Sequence, residues 1–346
     1  MSEAYPDDNY TCEGLEAQYN NTYTRQQFVS YRIIYPLIIA IGVVSNAICI
    51  MILKKPKMRL VLANRYFLVL VLIDLMACVM SIPVATSVIG CSINSCDEAF
   101  YFGRFCWSFL EFLQPLSFYT LLFLSFDRFL AVWNFQYYRN HDKNKVFWRR
   151  IVVTLVVDIV LHIFYFVNVK VSCQNDNTKP RYVIEDAIRW NKGEIWHTAF
   201  LYFHTLVVRW IPWVSLTVFN TGLIIAIARG KLSNPDLPSS NEGRMELNLT
   251  LTLVAIICST MAFTFPEAVY VTNFSSLCQN QCYGLHELFR AIANILQLLE
   301  HATTIVFLAI LNPNFREELI KGMRMAFSCK ENKESQMPVD VNAIIN

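Results

Sequence analysis

Charge is the scarcest commodity in this sequence. Of 346 residues only 16% are Asp, Glu, Lys or Arg, against about 25% in ordinary soluble domains, and the mean hydropathy is +0.36. A net charge of +2 with no basic stripe points to no nucleic-acid partner. Catalytic signatures are missing as well. The chain has no Gly-x-Ser-x-Gly, no His-Glu-x-x-His, and no aspartate dyad beyond the separated Asp74 and Asp158. No enzyme, metal or cofactor is expected, although Asp158 and His162 have metal-ligand spacing. Only ten glycines and no paired repeats argue against a transporter, which stays as a remote alternative. The first thirty residues lack a basic segment followed by an apolar one, so no cleavable signal peptide is expected.

What the chain does have is long apolar runs. They cover approximately 31–53, 60–84, 105–133, 150–169, 199–228, 247–273 and 285–311, each near the ~20 residues that cross a bilayer as a helix. Polar separators such as "KKPKMR", "NFQYYRNHDKNKVFWRR" and "RGKLSNPDLPSSNEGR" divide them. Seven runs with no amphipathic strands between them predict an all-α membrane protein, a seven-transmembrane helix bundle.

Positive charge sets the expected orientation. The first separator carries Lys54, Lys55, Lys57 and Arg59, and the third Arg139, Lys143, Lys145, Arg149 and Arg150, whereas the second has neither Lys nor Arg. Positively charged loops stay in the cytoplasm, which places the N-terminus outside a multi-pass plasma-membrane protein. The sequons at Asn9 and Asn20 then fall on the outer, glycosylated side.

One stretch sits oddly in this pattern. "LLFLSFDRFLAVW" ends the third run with Asp127 and Arg128 side by side. At that place in a seven-span chain the motif resembles the rhodopsin-like G-protein-coupled receptors, with Phe129 in place of a tyrosine. The resemblance extends from Tyr31 to about Phe327. It implies a heterotrimeric G protein and an extracellular ligand as partners, and Asp127, Arg128 and Glu246 as the coupling switch. Both Asp127 and Glu246 are expected to restrain Arg128. It further implies a buried polar pocket from Asn46 ("GVVSNAI"), Asp74 ("FLVLVLIDLM"), Ser117 and Thr304, with helix-bending prolines at Pro212 and Pro266.

The expected organisation is an extracellular tail (1–30), a receptor domain (31–311), a short amphipathic helix on the inner membrane surface (312–327) and a cytoplasmic tail (328–346). Asn312 would cap the surface helix, with Pro313 in its first turn. Reading Asn312-Pro313 as the family's Asn-Pro-x-x-Tyr would drag "FREE" into the membrane. The register is better placed on "TTIVF", where the motif is lost.

Of eleven cysteines, seven (Cys12, Cys91, Cys96, Cys106, Cys173, Cys278 and Cys282) lie in outer segments or at their edges. Cys106 with Cys173 would tie the third span to the long outer loop, although Cys106 lies three residues closer to Arg128 than the family's third-helix cysteine. Pro115 is expected to break that helix and shift its register. Cys329, past the surface helix, is a candidate for lipidation.

The last span contains no lysine between Leu285 and Leu311, which excludes a retinal Schiff base. Leu110 stands where the family's amine receptors have aspartate, with Glu111 next to it. Glu111, Asp158, Glu267 and Glu300 are acids within spans, against the single mid-span base Arg209. A Glu111–Arg209 pair would leave Glu267 to seek a ligand guanidinium. The expected ligand pocket is therefore Glu111, Gln114, Arg209, Phe263 and Glu267, with Phe263 and Phe265 receiving an aromatic ring. The divergence resembles FMRFamide-type neuropeptide receptors and related nematode chemosensory receptors. An amidated peptide is the expected ligand, and a small environmental molecule is the alternative.

Overall fold

The computed structural model describes residues 29–90, 101, 105–106, 108–134, 138, 142–175, 180–186, 195–229, 240–270 and 283–334, and the side chains of most of these. Seven long helices form a closed bundle. They are α1 (Val29–Leu53), α2 (Leu62–Gly90), α3 (Ser108–Trp133), α4 (Lys143–Asn168), α5 (Ile195 to Ala228), α6 (Ser240–Val269) and α7 (Tyr283–Leu311), followed by α8 (Pro313–Glu334). α1 packs on α2 and α7, α3 on α2, α4 and α5, and α6 on α5 and α7, which closes the ring.

These helices are turned inside out relative to a soluble protein. On α4, Val153, Val156, Val160 and Ile163 recur at spacings of three and four, and all are exposed. Thr154, Asp158 and His162, four apart, are buried on the opposite face. Water would reverse that arrangement; hydrocarbon stabilises it. Six of the seven bundle helices (all but α4) have, among the described residues, a stretch long and apolar enough to cross a membrane. α4, at 26 residues, is the seventh.

Two local features depart from expectation. Pro115 does not break α3, which runs unbroken from Ser108 to Trp133. Proline removes one backbone donor, but a helix packed on three neighbours tolerates that loss. Between α4 and α5 the chain forms an antiparallel hairpin, β1 (Val169–Asn175) on β2 (Pro180–Asp186), with Val169 opposite Asp186 and Asn175 opposite Pro180. The β-branched and aromatic residues of "VKVS" and "RYVI" suit a strand. The membrane part is all helix, and the hairpin is an addition that hydropathy alone did not show.

α5 is wound more widely over Leu206–Trp210, just before Pro212. A wider turn accommodates the proline ring and leaves a carbonyl to spare. The Tyr119 hydroxyl of α3 donates to that of Val207 at 2.7 Å. At the start of α8, Asn312 caps the helix as expected: its side-chain oxygen accepts from the Phe315 amide at 3.2 Å. Phe315 is fully buried, and Glu318 binds Lys55 at the end of α1 at 2.8 Å.

The main core gathers at the Arg128 end, around Tyr66, Phe67, Leu121, Leu124, Leu223, Leu253 and Phe315. Nearer the other end, α1 comes very close to α2 and α7 at Gly42. A Cβ there would lie 2.6 Å from Cys78 Sγ and 3.4 Å from Ala302 Cβ. Cys78 is itself fully buried and has nowhere to retreat. Gly42→Val is therefore expected to destabilise the bundle by about 1–3 kcal/mol. The thermal midpoint of the purified protein in detergent measures this, with Val44→Ala on the exposed face as a control that leaves it nearly unchanged.

Candidate functional site

Among the described residues, three sets of charges in or at the ends of this apolar bundle join different helices of the seven, while Asp158 and His162, 2.9 Å apart and buried, pair within α4. The first is at the end of α3. Arg128 is buried and forms an ion pair with Glu246 of α6, whose side chain is 38% exposed. Its neighbour Asp127 does not restrain it. Adjacent helical residues point about 100° apart, so Asp127 turns toward α4 and pairs with Arg150. The Arg150 guanidinium also lies 5.5 and 5.3 Å from the ring centres of Phe123 and Phe126, and 3.5 Å from the Tyr66 hydroxyl. Two opposite charges in sequence thus become two separate interhelical ties. Beside them is a cleft of about 460 Å³ lined by Arg65, Arg128, Tyr138, Met245 and Glu246, among others. Burial pushes the Tyr138 phenol above its ordinary pKa. Phe129 packs over α5 at Gly222, where a Cβ would lie 2.7 Å from the ring.

The second set lies mid-bundle. Asp74 of α2 accepts from the Thr304 hydroxyl at 2.9 Å, and its other oxygen lies 2.9 Å from Nδ1 of His301. The same nitrogen is 3.0 Å from Glu300. Glu300 accepts from Thr260 of α6 at 2.9 Å, and Asn46 of α1 donates to the His301 carbonyl at 2.8 Å. All six side chains are buried. Of the expected polar pocket, Asp74 and Thr304 touch directly, which agrees with a register on "TTIVF". Asn46 joins through the α7 backbone. The Ser117 hydroxyl is buried but has no hydrogen-bond partner among the described residues. Sequence reading saw Glu300 only as an acid within a span and gave no role to its neighbour His301. Their adjacency in an apolar run was the available signal, whereas nothing marked Thr260.

The third set is nearer the other end. Arg209, on the wide turn of α5, pairs with Glu267 of α6 and lies 3.7 Å from Glu111 of α3. The expected Glu111–Arg209 contact is present. Glu267, expected to be left for a ligand, is in fact the closer partner, because α5 brings Arg209 between α3 and α6. Gln114 is buried and Phe263 half-buried, but Phe265 is 55% exposed and packs on Trp213 at 5.8 Å, so it faces out of the bundle. Cys106 is a buried free thiol, so the expected bridge to Cys173 is not formed in the structure. The side chains of Cys173 and Cys329, and all of Asn9 and Asn20, lie outside the described residues.

An arginine ending α3, held by an acid on α6 beneath a buried α2 carboxylate, is an arrangement that can be compared with known proteins. The family model described as 7 transmembrane receptor (rhodopsin family) matches residues 45–305. The chain belongs to that family. It is also 19% identical, over 311 residues, to a Caenorhabditis elegans protein named probable G-protein coupled receptor B0563.6, covering 85% of this chain and 69% of the relative. The receptor is thus a multi-pass membrane protein that signals through a G protein, and not an enzyme.

In this receptor the Arg128–Glu246 pair is half-solvated, so it is worth about 1 kcal/mol at most. A difference of that size shifts a two-state population about fivefold. Glu246→Ala is expected to raise ligand-independent signalling several-fold at matched surface expression, read with a promiscuous G protein. Arg150→Ala, which strands the buried Asp127 carboxylate, is expected to lower the amount of folded receptor instead.

Proposed function

We propose that this receptor responds to an extracellular, amidated peptide of FMRFamide-like character that carries an arginine, and that its N-terminus lies outside the cell. The observation supporting a cationic ligand is the Arg209 site. Among the described residues two carboxylates, Glu111 and Glu267, converge on the Arg209 guanidinium, so acidic groups outnumber the base there. A ligand guanidinium that joins or displaces Arg209 removes that excess and gains bidentate hydrogen bonds. Gln114 and the half-buried Phe263 complete the proposed pocket with an amide and an apolar wall.

Binding there acts on α3, α5 and α6 together. The ligand favours the state in which α6 moves away from α3, the Arg128–Glu246 pair opens, and the G protein enters the cleft at that end. The basic residues at the Arg128 end, among them Lys54, Lys55, Arg65, Lys145 and Arg149, support placing that end in the cytoplasm. α8 then lies along the inner membrane surface; it runs past the expected end at residue 327 to Glu334, so Cys329, the candidate for lipidation, falls in its last turns. The outer segments bear the sugar at Asn9 and Asn20.

A second reading, a chemosensory receptor for a small environmental molecule, is favoured by one observation. The described cavity next to Glu111 measures only about 60 Å³, too small for more than a small group.

A four-way cycle decides between them. Glu267→Gln is expected to weaken an Arg-containing amidated peptide by about ten- to a hundredfold, the value of a charge-assisted hydrogen bond. It should weaken the citrulline analogue much less. Equal losses with both peptides would mean that Glu267 serves only Arg209, and activation by neither peptide would favour the small-molecule reading.

A further inference from the structure

We propose that His162 of α4 and His204 of α5 bind a divalent transition-metal ion of the zinc class, with Asp158 orienting His162 and supplying charge, and that the ion ties these two helices together. The inference does not depend on which organic ligand occupies the Arg209 site.

From sequence alone no metal is expected at Asp158 and His162. The structure adds His204 from another helix. The His162 and His204 ring centres lie 5.0 Å apart, with the ring planes at 72°. A tetrahedral zinc ion held at about 2.0–2.1 Å by two imidazole nitrogens keeps their ring centres roughly 5 Å apart. All three side chains are buried: Asp158 is 2% exposed, His162 0% and His204 8%.

Asp158 makes the pair of rings more than a packing contact. His162 Nδ1 lies 2.9 Å from one oxygen of the Asp158 carboxylate and 3.0 Å from the Asp158 main-chain carbonyl. A proton held on Nδ1 leaves the lone pair on Nε2, the nitrogen that a metal takes in carboxylate–histidine–metal arrangements. The other oxygen of that carboxylate has no hydrogen-bond partner among the described residues, nor has the Thr154 hydroxyl one turn away. A carboxylate inside a membrane span demands compensation. A divalent ion one imidazole away supplies it.

The donor set selects the ion. Imidazoles suit zinc, copper or nickel, whereas magnesium and calcium take oxygen ligands. The walls are aromatic: Phe112 of α3 meets His162 edge-on at 6.1 Å, and Phe200 lies 6.0 Å from His204. Such a shell keeps water away and strengthens the attraction between the ion and Asp158. His162 lies six residues from the end of α4 and His204 nine from the start of α5, both toward the end of the bundle away from Arg128. Among the described residues α4 packs chiefly on α3, so a shared ion adds a tie to α5 that packing supplies only weakly. It also steadies the segment that presents Arg209, five residues past His204.

The test uses purified full-length receptor in lipid nanodiscs, stripped with chelator and titrated with zinc chloride. The thermal midpoint of the wild type is expected to rise with zinc, since an ion bound only by the folded state stabilises it. Cobalt in place of zinc is expected to give the visible absorption of tetrahedral coordination. His204→Leu, an apolar replacement suited to an apolar surrounding, is expected to lose both signals, and His204→Cys, which restores a ligand, to recover them. Asp158→Asn is expected to weaken the zinc dependence about ten- to a hundredfold. Glu300→Gln is the control for the mid-bundle cluster of Asp74, Glu300 and His301, whose donor atoms lie within 4.8 Å of one another; it is expected to keep the zinc response. A wild type that zinc does not stabilise would overturn the proposal, as would a response that survives His204→Leu or disappears with Glu300→Gln.

Discussion

A charge inside a membrane-spanning bundle must find an opposite charge or a donor, because neither lipid nor apolar side chains can solvate it. The rest of this structure depends on that constraint. With few charged residues to spend on the interior, the chain arranges them so that each tie joins separate helices. Arg128 joins α3 to α6, Asp127 joins α3 to α4, Arg209 joins α5 to both α3 and α6, and His301 draws α7 to α2. Apolar packing between helices gains little from a surrounding that is equally apolar. The polar ties therefore specify which helix faces which, and small residues such as Gly42 permit the close approach.

The same constraint makes the bundle a switch. Well-packed apolar contacts deform a little and then fail, whereas an ion pair at a wet end can exchange partners at modest cost. Arg128–Glu246, half-solvated, is such a pair. Asp127–Arg150, buried beneath Phe123 and Phe126, is not; it fixes α4 while its neighbour is free to release α6. α6 is held at three heights: by Glu246 at one end, by Thr260 in the middle and by Glu267 nearer the other. Any ligand that changes one of these contacts alters the balance of the others, since all three act on one helix.

Most of the fold was legible because a bilayer imposes a simple length rule. The seven runs and the Asn312 cap follow from spacing along single helices, while the family resemblance supplied the role of "DRF" and Glu246 as partner of Arg128. What sequence could not supply was azimuth, the direction each side chain takes around its helix once the bundle is assembled. Asp127 beside Arg128 reads as a pair, yet 100° of rotation sends it to Arg150. Glu267 looked unclaimed because the wide turn that aims Arg209 at it has no sequence signature apart from Pro212. Phe265 faces outward for the same reason. Pro115 misled in another way, because its effect depends on packing neighbours that a linear motif does not show.

The central claim is that Arg128 and Glu246 hold α3 and α6 together at rest. Spin labels at the adjacent ends of these two helices, read as a distance distribution without ligand, test this directly. The wild type is predicted to show a dominant short distance, and Glu246→Ala a longer population enlarged several-fold. An unchanged distribution in the variant would contradict the account, because the helices would then be held by packing alone.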